Sequence, residues 1–168
     1  ANYNRALGYA SPASHYVKIA QADDVLMPDC LTEMVRLAEA NPSVGIVGCC
    51  FITGDALAGH GLPFDREVFT GAEACRTRLL HGGTNADTVA CFEILADSDF
   101  GRVRQILCSL RRGNPSVSDA LRRNGAAAFL NYALVQRFGP RLLTTDELAG
   151  RRDALREVYL THLARAVP

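Results

Sequence analysis

Residues 16–52 constrain the fold most strongly, because they alternate between two apolar strand-like runs and one helical pattern. We predict a first strand at residues 16–20 and a second at residues 44–52, which is apolar throughout, as is typical of a sheet covered on both faces. The apolar positions between the strands recur at helical spacing, at Leu31, Met34, Val35 and Ala38. Pro28 lies near the predicted start of this helix and Pro42 marks its end. The order strand, helix, strand predicts an α/β fold.

Two adjacent carboxylates, Asp23 and Asp24, follow the first predicted strand. In open α/β sheets, ligands bind beyond the carboxyl ends of the strands. Neighbouring carboxylates repel each other and lose hydration there, and a hard cation such as Mg²⁺ or Mn²⁺ relieves both costs. Aspartates before a helix also cap free N–H groups and interact favourably with the helix dipole. The sequence therefore leaves two interpretations open, a metal or substrate site and a helix cap.

Two capping boxes mark the starts of later helices. Thr70 precedes Glu73 by three residues, and Thr144 precedes Glu147 by the same spacing. In this motif the Thr hydroxyl and the Glu carboxylate each accept a hydrogen bond from the other residue's backbone N–H. The first box predicts a helix that ends near Leu80, and the second predicts the last helix of the chain.

The remaining segments predict one more strand and two further helices. A helix follows Asp87, and residues 103–110 form a strand. A long helix is expected from about residue 117 to residue 138. We expect it to end at Gly139-Pro140, because proline lacks the backbone N–H and its ring clashes with the preceding turn.

Composition favours one globular domain without a membrane span. The chain has 168 residues, of which 48% are hydrophobic and 21% charged, so it can bury a core of its own. The longest apolar runs stay below the roughly 18 residues that a membrane span needs, and we expect a cytoplasmic protein. We expect an α/β part over residues 1–116 and a helical extension over residues 117–168 packed on the same domain.

The six cysteines form no CxxC pair and lie within apolar patterns: Cys30, Cys49, Cys50, Cys75, Cys91 and Cys108. This pattern favours reduced thiols in the core over a disulfide framework or a zinc site. The four histidines are scattered without metal-ligand spacing, and the sequence contains no GxGxxG or Walker motif.

Charge is distributed unevenly although the net charge is zero. Residues 1–101 contain 6 Lys and Arg against 13 Asp and Glu, a balance of −7, and residues 102–168 contain 12 against 5, a balance of +7. A basic helical tail can contact anionic lipid headgroups or phosphates, or it can simply be solvated. Few aromatic residues lie among these cations, so we expect no nucleic-acid binding.

Several short motifs follow one another over residues 4–48. Asn4 and Arg5 lie in a predicted short helix before the first strand, the Asp pair follows that strand, and the helix begun by Pro28 leads to the run PSVGIV at residues 42–47. This order resembles the middle of family 2 glycosyltransferases, whose GT-A fold is a Rossmann-like mixed sheet flanked by helices. Residues 85–112 are similar to the acceptor-side helix, strand and arginine loop of that family.

The resemblance implies an inverting transferase that moves a sugar from a nucleotide-diphosphate sugar donor to a sugar or lipid-linked acceptor. It implies Asp24 as a ligand of Mg²⁺ or Mn²⁺, and Asp23, Asn4 and Arg5 as donor-binding residues. Asp87 falls where the family has its general base. The tail resembles the C-terminal extension of a bacterial subgroup, which implies synthesis of cell-surface polysaccharide or glycoconjugates, in the cytoplasm or peripherally at the inner membrane face.

The sequence departs from the family pattern at three places. Gln21 occupies the position of the motif's first aspartate. The family's nucleotide-binding half does not precede Ala1, and a further strand that relatives carry near Gly82-Gly83 is missing. We therefore expect an incomplete sequence or a remnant with an unpaired sheet edge and an exposed apolar face. The alternative function is a non-catalytic remnant that binds a membrane or a partner.

Overall fold

The computed structural model describes residues 2–21, 24–54, 56–59, 61–82, 87–111 and 125–166. Within these residues, five strands form one mixed sheet in the order β1-β5-β2-β3, with β4 also paired to β5. The strands are β1 (Val25–Leu26), β2 (Val44–Thr53), β3 (Ala56–Ala58), β4 (Val68–Phe69) and β5 (Asp99–Leu110). The helices are α1 (Asn2–Leu7), α2 (Cys30–Ala40), α3 (Gly71–His81), α4 (Thr88–Ile94), α5 (Ala126–Leu142) and α6 (Thr145–Ala166).

The parallel pair of β2 and β5 forms the centre of the sheet. Its register runs from Val44 opposite Asp99 to Thr53 opposite Leu110, with three local register shifts. The other strands pair antiparallel, β3 with β2 and both β1 and β4 with β5. The predicted apolar strand at residues 44–52 is confirmed, and helices cover the sheet on both faces, so the predicted α/β class with a mixed sheet is correct.

The first predicted strand, at residues 16–20, is wrong. These residues form no strand with any described part of the sheet, and every residue from 5 to 21 is exposed. Val17 is 56% exposed and Ile19 is 47% exposed. An apolar run becomes a strand only where a neighbouring backbone can satisfy its N–H and C=O groups, and here β5 pairs with Val25 and Leu26 instead.

Helix α2 covers one face of the sheet and buries a different stripe from the predicted one. Its buried residues, Cys30, Met34, Leu37 and Ala38, follow helical spacing. Met34 and Ala38 are buried as predicted, whereas Leu31 is 52% exposed and Val35 is 38% exposed. The core on this face consists of Cys30, Met34, Leu37, Cys49, Val103, Leu107 and Cys108.

The opposite face carries a larger core to which four helices contribute. Its buried residues are Leu62, Phe69, Cys75, Leu79, Phe92, Leu95, Phe100, Leu134, Val135 and Leu155. Leu134 and Val135 come from α5 and Leu155 comes from α6, so both C-terminal helices pack on the sheet domain. The proposed boundary between residues 116 and 117 lies outside the described residues.

Both capping boxes are confirmed. The Thr70 N–H donates to Glu73 Oε2 at 2.9 Å, and the Glu73 N–H donates to Thr70 Oγ1 at 3.2 Å. At the start of α6, the Thr144 N–H donates to Glu147 Oε2 at 3.0 Å and the Glu147 N–H donates to Thr144 Oγ1 at 3.3 Å. Each box satisfies two N–H groups that would otherwise lack partners in the first helical turn.

Helix α5 continues past the predicted stop at Gly139-Pro140. It runs to Leu142 with Pro140 in its last turn, where the missing N–H removes a single helical bond. Gly139 is buried beside α6, so close that a Cβ atom there would lie 2.6 Å from Leu148 Cδ1. Packing of the two helices therefore outweighs the local cost of proline. The predicted beginning of this helix, at residues 117–124, lies outside the described residues.

No helix in the described part of the chain is both long enough and apolar enough to cross a membrane. All six cysteines are free thiols, and five of them are buried, as the sequence predicted. Helix α6 contains four arginines and four acidic residues, so the positive balance of the C-terminal part does not lie on its last helix.

Candidate functional site

A cavity of about 430 Å³ runs along the free edge of β2. On one side β2 pairs with β5, and on the other side only residues 51–53 pair with a described strand, β3. Residues 46–49 of β2 therefore form one wall of the cavity. The charged residues that line it come from distant parts of the sequence: Lys18, Asp24, Arg78 and Asp87. Its volume lies within the range of about 300–1,000 Å³ that is typical of small-molecule sites.

Asp24 reaches this cavity through the pairing of β1 with β5. The antiparallel register puts Val25 opposite Ser109, so Asp24 lies beside Leu110, the last residue of β5. Since Leu110 is opposite Thr53, the last residue of β2, Asp24 lies at the carboxyl edge of both parallel strands. The prediction that Asp24 follows a strand is wrong, because it precedes β1, but it lies at the kind of sheet edge where ligands bind in α/β folds.

The helix-cap interpretation of Asp24 is not supported by its position. Helix α2 begins at Cys30, and Asp29 is its N-cap residue. Asp24 lies five residues before that cap, and its backbone N–H donates to the Gln21 carbonyl at 3.2 Å. Asp24 is half-buried and lines the cavity.

Asp87 lies at the start of α4, as predicted. It is the N-cap residue by backbone position, and its carbonyl accepts from the Cys91 N–H at 3.0 Å. Its side chain makes no capping hydrogen bond to the described amides of the helix. The carboxylate is exposed and lines the cavity. A capping role therefore does not account for the aspartate at this position.

Arg78 and Asp87 have opposite effects on the pKa of Cys91. Burial raises the pKa of Cys91, the Asp87 carboxylate raises it further, and the Arg78 guanidinium lowers it. Arg78 and Asp87 both line the cavity, so α3 and the start of α4 supply it with a cation and a carboxylate. Thr88, which is 6% exposed, lines the cavity beside them.

The other predicted site residues are Asp23, Asn4 and Arg5. Asp23 lies outside the described residues. Asn4 lies in α1, where its backbone alone is described. Arg5 is exposed on the same helix, and its Nε donates to the Tyr9 hydroxyl at 3.4 Å. Arg5 is not among the cavity-lining residues, and the donor-binding roles of Asn4 and Arg5 stay predictions.

Two further carboxylates that follow Asp87 in the sequence, those of Asp97 and Asp99, lie elsewhere. Both line a separate open groove formed by the amino ends of β2 and β5. Asp24 lies at the opposite end of β5, beside Leu110. The fold therefore separates these two carboxylates from the cavity that contains Asp24 and Asp87. Arg111 is exposed just beyond β5, and Arg112 lies outside the described residues.

The cavity is lined by two carboxylates, Asp24 and Asp87. This set fits Mg²⁺ only if a bound ligand supplies part of the coordination shell. Among the described residues, no group of three or more His, Cys, Asp and Glu side chains is arranged to hold a metal ion. Mg²⁺ commonly takes one or two protein carboxylates and completes its shell with substrate phosphates and water. Asp24 can supply one such ligand, and Asp23 adjoins it in the sequence.

Lys18 is a site residue that the sequence analysis did not single out. It is the only lysine in the chain, and all seventeen other basic residues counted with it are arginines. It lies in the extended segment before β1 and lines the cavity. The signal for it in the sequence is a lone lysine inside an apolar run, a charge that a strand buried on both faces does not accommodate.

Arg102 is a second residue that the sequence analysis missed. It is 1% exposed, and its guanidinium donates to the Leu62 carbonyl at 2.6 Å, to the Pro63 carbonyl and to the Arg66 carbonyl at 3.3 Å. The same group lies 4.5 Å from the centre of the Phe64 ring. Because Leu62 lines the cavity, Arg102 positions one part of its wall.

No protein-family model matches this chain, and neither a curated protein nor a solved structure was found to match it.

Proposed function

We propose that this protein is a GT-A-type glycosyltransferase, which moves a sugar from a nucleotide-diphosphate sugar to an acceptor hydroxyl with inversion. The observation that carries the proposal is the cavity along the free edge of β2, which is lined both by Asp24, at the carboxyl edge of the sheet, and by Asp87. These residues are 63 positions apart in the sequence. Two carboxylates with different neighbours, facing one cavity, are suited to two different tasks.

On the donor side, Asp24 binds Mg²⁺ or Mn²⁺ together with the diphosphate, and Asp23, Asn4 and Arg5 are the further donor-binding residues of the proposal. The cation, when bound, neutralises charge on the departing diphosphate. Lys18 lines the same cavity, and its ammonium group attracts the anionic donor.

On the acceptor side, Asp87 removes the proton from the attacking hydroxyl. An exposed carboxylate without a capping bond can accept a hydrogen bond from an acceptor hydroxyl within the cavity. The hydroxyl oxygen then forms a bond to the anomeric carbon while the bond to the diphosphate breaks on the opposite face. A single displacement of this kind inverts the anomeric configuration. The biological role that we propose for the transfer is bacterial cell-surface polysaccharide or glycoconjugate synthesis.

Nucleotide binding tests this proposal. Isothermal calorimetry with UDP and with GDP, each in the presence and absence of Mn²⁺, should detect Mn²⁺-dependent binding to the full-length wild-type protein. Asp24→Asn should abolish the dependence on Mn²⁺, because an amide is a much weaker ligand for a hard cation than a carboxylate.

The matched control is Asp97→Asn, which changes a carboxylate at the opposite end of β5 and should leave binding unchanged. If Mn²⁺ strengthens nucleotide binding by Asp24→Asn as much as it does for the wild-type protein, Asp24 is not a metal ligand. Protection of Lys18 from an amine-reactive reagent by bound nucleotide would locate the ligand independently, since the chain has a single lysine.

The second candidate is a non-catalytic module that binds a protein partner. Exposed large apolar residues are concentrated in the N-terminal part: Leu7, Tyr9, Tyr16, Val17, Ile19, Val25, Leu31 and Val35. Apolar side chains that lie together on a surface commonly mark an interaction site. Absence of nucleotide binding in the calorimetry would favour this candidate over the enzyme.

A further inference from the structure

Four sulfur atoms from three elements meet beneath the cavity. We call Cys30, Met34, Cys49 and Cys108 the sulfur cluster. The Cys108 Sγ lies 3.5 Å from the Cys49 Sγ and 3.9 Å from the Cys30 Sγ. The Cys30 Sγ lies 3.7 Å from the Met34 Sδ. Cys108 is therefore the central thiol, in van der Waals contact with one cysteine on each side.

The fold positions these thiols through the sheet and one helix. Cys49 lies in β2 and Cys108 in the parallel neighbour β5, while Cys30 begins α2 on the covering layer. Register shifts between Cys49 and Phe51 leave Cys108 opposite Phe51. The side chains of Cys49 and Cys108 then belong to the same buried cluster beneath α2.

Two of the three thiols can be reached from the cavity. Cys49 and Cys108 line it, whereas Cys30, which is 1% exposed, does not. A small solute that enters the cavity therefore has access to the closest pair of sulfur atoms, as well as to the Cys91 thiol, which also lines the cavity. Buried thiols without access are inert, so this access separates Cys49 and Cys108 from the other buried cysteines.

We propose that Cys49 and Cys108 form a reversible intramolecular disulfide when hydrogen peroxide enters the cavity. Burial raises the pKa of Cys49, so its thiol loses the proton as the sulfur attacks one peroxide oxygen. The O–O bond breaks, and the departing hydroxide takes the proton from Cys49 to become water. The Cys108 sulfur then attacks the sulfenic sulfur, the S–OH bond breaks, and a second water leaves with the Cys108 proton. Two thiols and one hydrogen peroxide thus give one disulfide and two waters, and a dithiol such as dithiothreitol reverses the oxidation.

The cross-link affects the cavity because it joins β2 to β5 at the wall. Cys108 is opposite Leu26 in the β1 pairing, and Asp24 lies two residues before Leu26. Formation of the bond requires the two Sγ atoms to move from 3.5 Å to about 2.05 Å. The oxidised protein therefore differs from the reduced protein directly beneath the carboxyl edge of the sheet.

Peptide mapping of the full chain tests this inference. Trypsin cleaves after Lys and Arg, so Cys49 falls in the peptide of residues 37–66 and Cys108 in the peptide of residues 105–111. After treatment with hydrogen peroxide and blocking of free thiols, we expect a mass loss of about 2 Da and a cross-link between these two peptides that dithiothreitol removes.

Two variants assign the bond to individual thiols. Peptide 37–66 also contains Cys50, so Cys50→Ala is the matched control and should retain the cross-link. Cys108→Ala should lose it, with circular dichroism used to confirm that the variant is folded. Two results with the wild-type protein would overturn the proposal, and neither depends on the folding of a variant. One is a gain of oxygen without a cross-link, and the other is a cross-link from peptide 105–111 to the peptide that contains Cys30.

Discussion

At the scale of the residue, one substitution separates the proposed base role of Asp87 from a structural role. The Asp87 side chain makes no capping hydrogen bond to the described amides of α4, so Asp87→Asn removes no such bond and should leave the melting temperature within a few degrees of wild type. An amide cannot take a proton near neutral pH, and loss of a general base typically lowers the rate by about 10²–10⁴. Thermal melting and a sugar-transfer assay measure the two effects separately.

The control for Asp87 is again Asp97→Asn, because Asp97 lies in the groove at the amino ends of the strands. It should keep full transfer activity. Donor binding should survive in Asp87→Asn, since Asp24 lies at the carboxyl edge of the sheet on a different element. If Asp87→Asn keeps full transfer activity, Asp87 is not the general base, and another residue must accept the proton.

Arg102 is the residue on which the wall of the cavity depends. Its replacement in Arg102→Met removes the donor of the buried hydrogen bond to the Leu62 carbonyl and of the part-buried hydrogen bond to the Pro63 carbonyl, and an unsatisfied buried acceptor costs about 1–3 kcal/mol. We expect the free energy of unfolding to fall by about 2–4 kcal/mol in urea titration.

Arg104 provides the matched control for Arg102. It also donates to a carbonyl of the same loop, that of Phe64 at 3.1 Å, but its side chain is 49% exposed. Arg104→Met should therefore change stability by less than about 1 kcal/mol, because water replaces an exposed donor. Equal effects of the two substitutions would show that burial of Arg102 does not determine its contribution.

At the scale of the element, the start of α3 requires a glycine where it meets the end of α4. A Cβ atom at Gly71 would lie 1.9 Å from the Leu95 carbonyl oxygen and 2.3 Å from that of Ser98. The backbone carbonyls of Leu95 and Ser98 cannot move out of the way as the end of a flexible side chain can. The steric clash in Gly71→Ala should therefore lower the free energy of unfolding by about 1–3 kcal/mol or more. Chemical denaturation of the variant measures the effect.

Gly150 is the opposite case within α6. A Cβ atom there would meet nothing within 4 Å, and alanine in a helix interior is favoured over glycine by about 0.5–1 kcal/mol. Gly150→Ala should therefore stabilise the protein by about that amount in the same assay. A destabilised Gly150→Ala would mean that α6 is less regular than its backbone indicates.

At the scale of the whole molecule, one core connects the sheet with both C-terminal helices. Leu134, Val135 and Leu155 pack with Phe92 and Phe100 from the sheet domain. We therefore expect one cooperative thermal transition, with far- and near-ultraviolet circular dichroism changing together. A separate early transition in the far ultraviolet would show that the C-terminal helices unfold independently of the sheet.

Local signals predicted the elements whose causes are local. The capping boxes at Thr70 and Thr144 place the starts of α3 and α6, because three-residue spacing suffices to close their hydrogen bonds. The apolar run at residues 44–52 predicts β2 correctly, since a strand covered by helices on both faces needs apolar residues at every position. The free thiols of the core follow equally from their apolar surroundings.

The sequence by itself thus determined the α/β class, the starts of α3 and α6 and the central strand, and it named Asp24 and Asp87 as candidate site residues. Tertiary structure decided that residues 16–20 are not a strand, because strand pairing is a contact between distant segments and β5 accepts residues 25–26 instead. It also decided that these two aspartates share a cavity, that Pro140 remains within a helix, and that the Cys49 and Cys108 thiols touch. Each of these outcomes depends on contacts between segments that are distant in the sequence. Periodicity and capping patterns report only on residues within a short window, so they carry no information about such contacts.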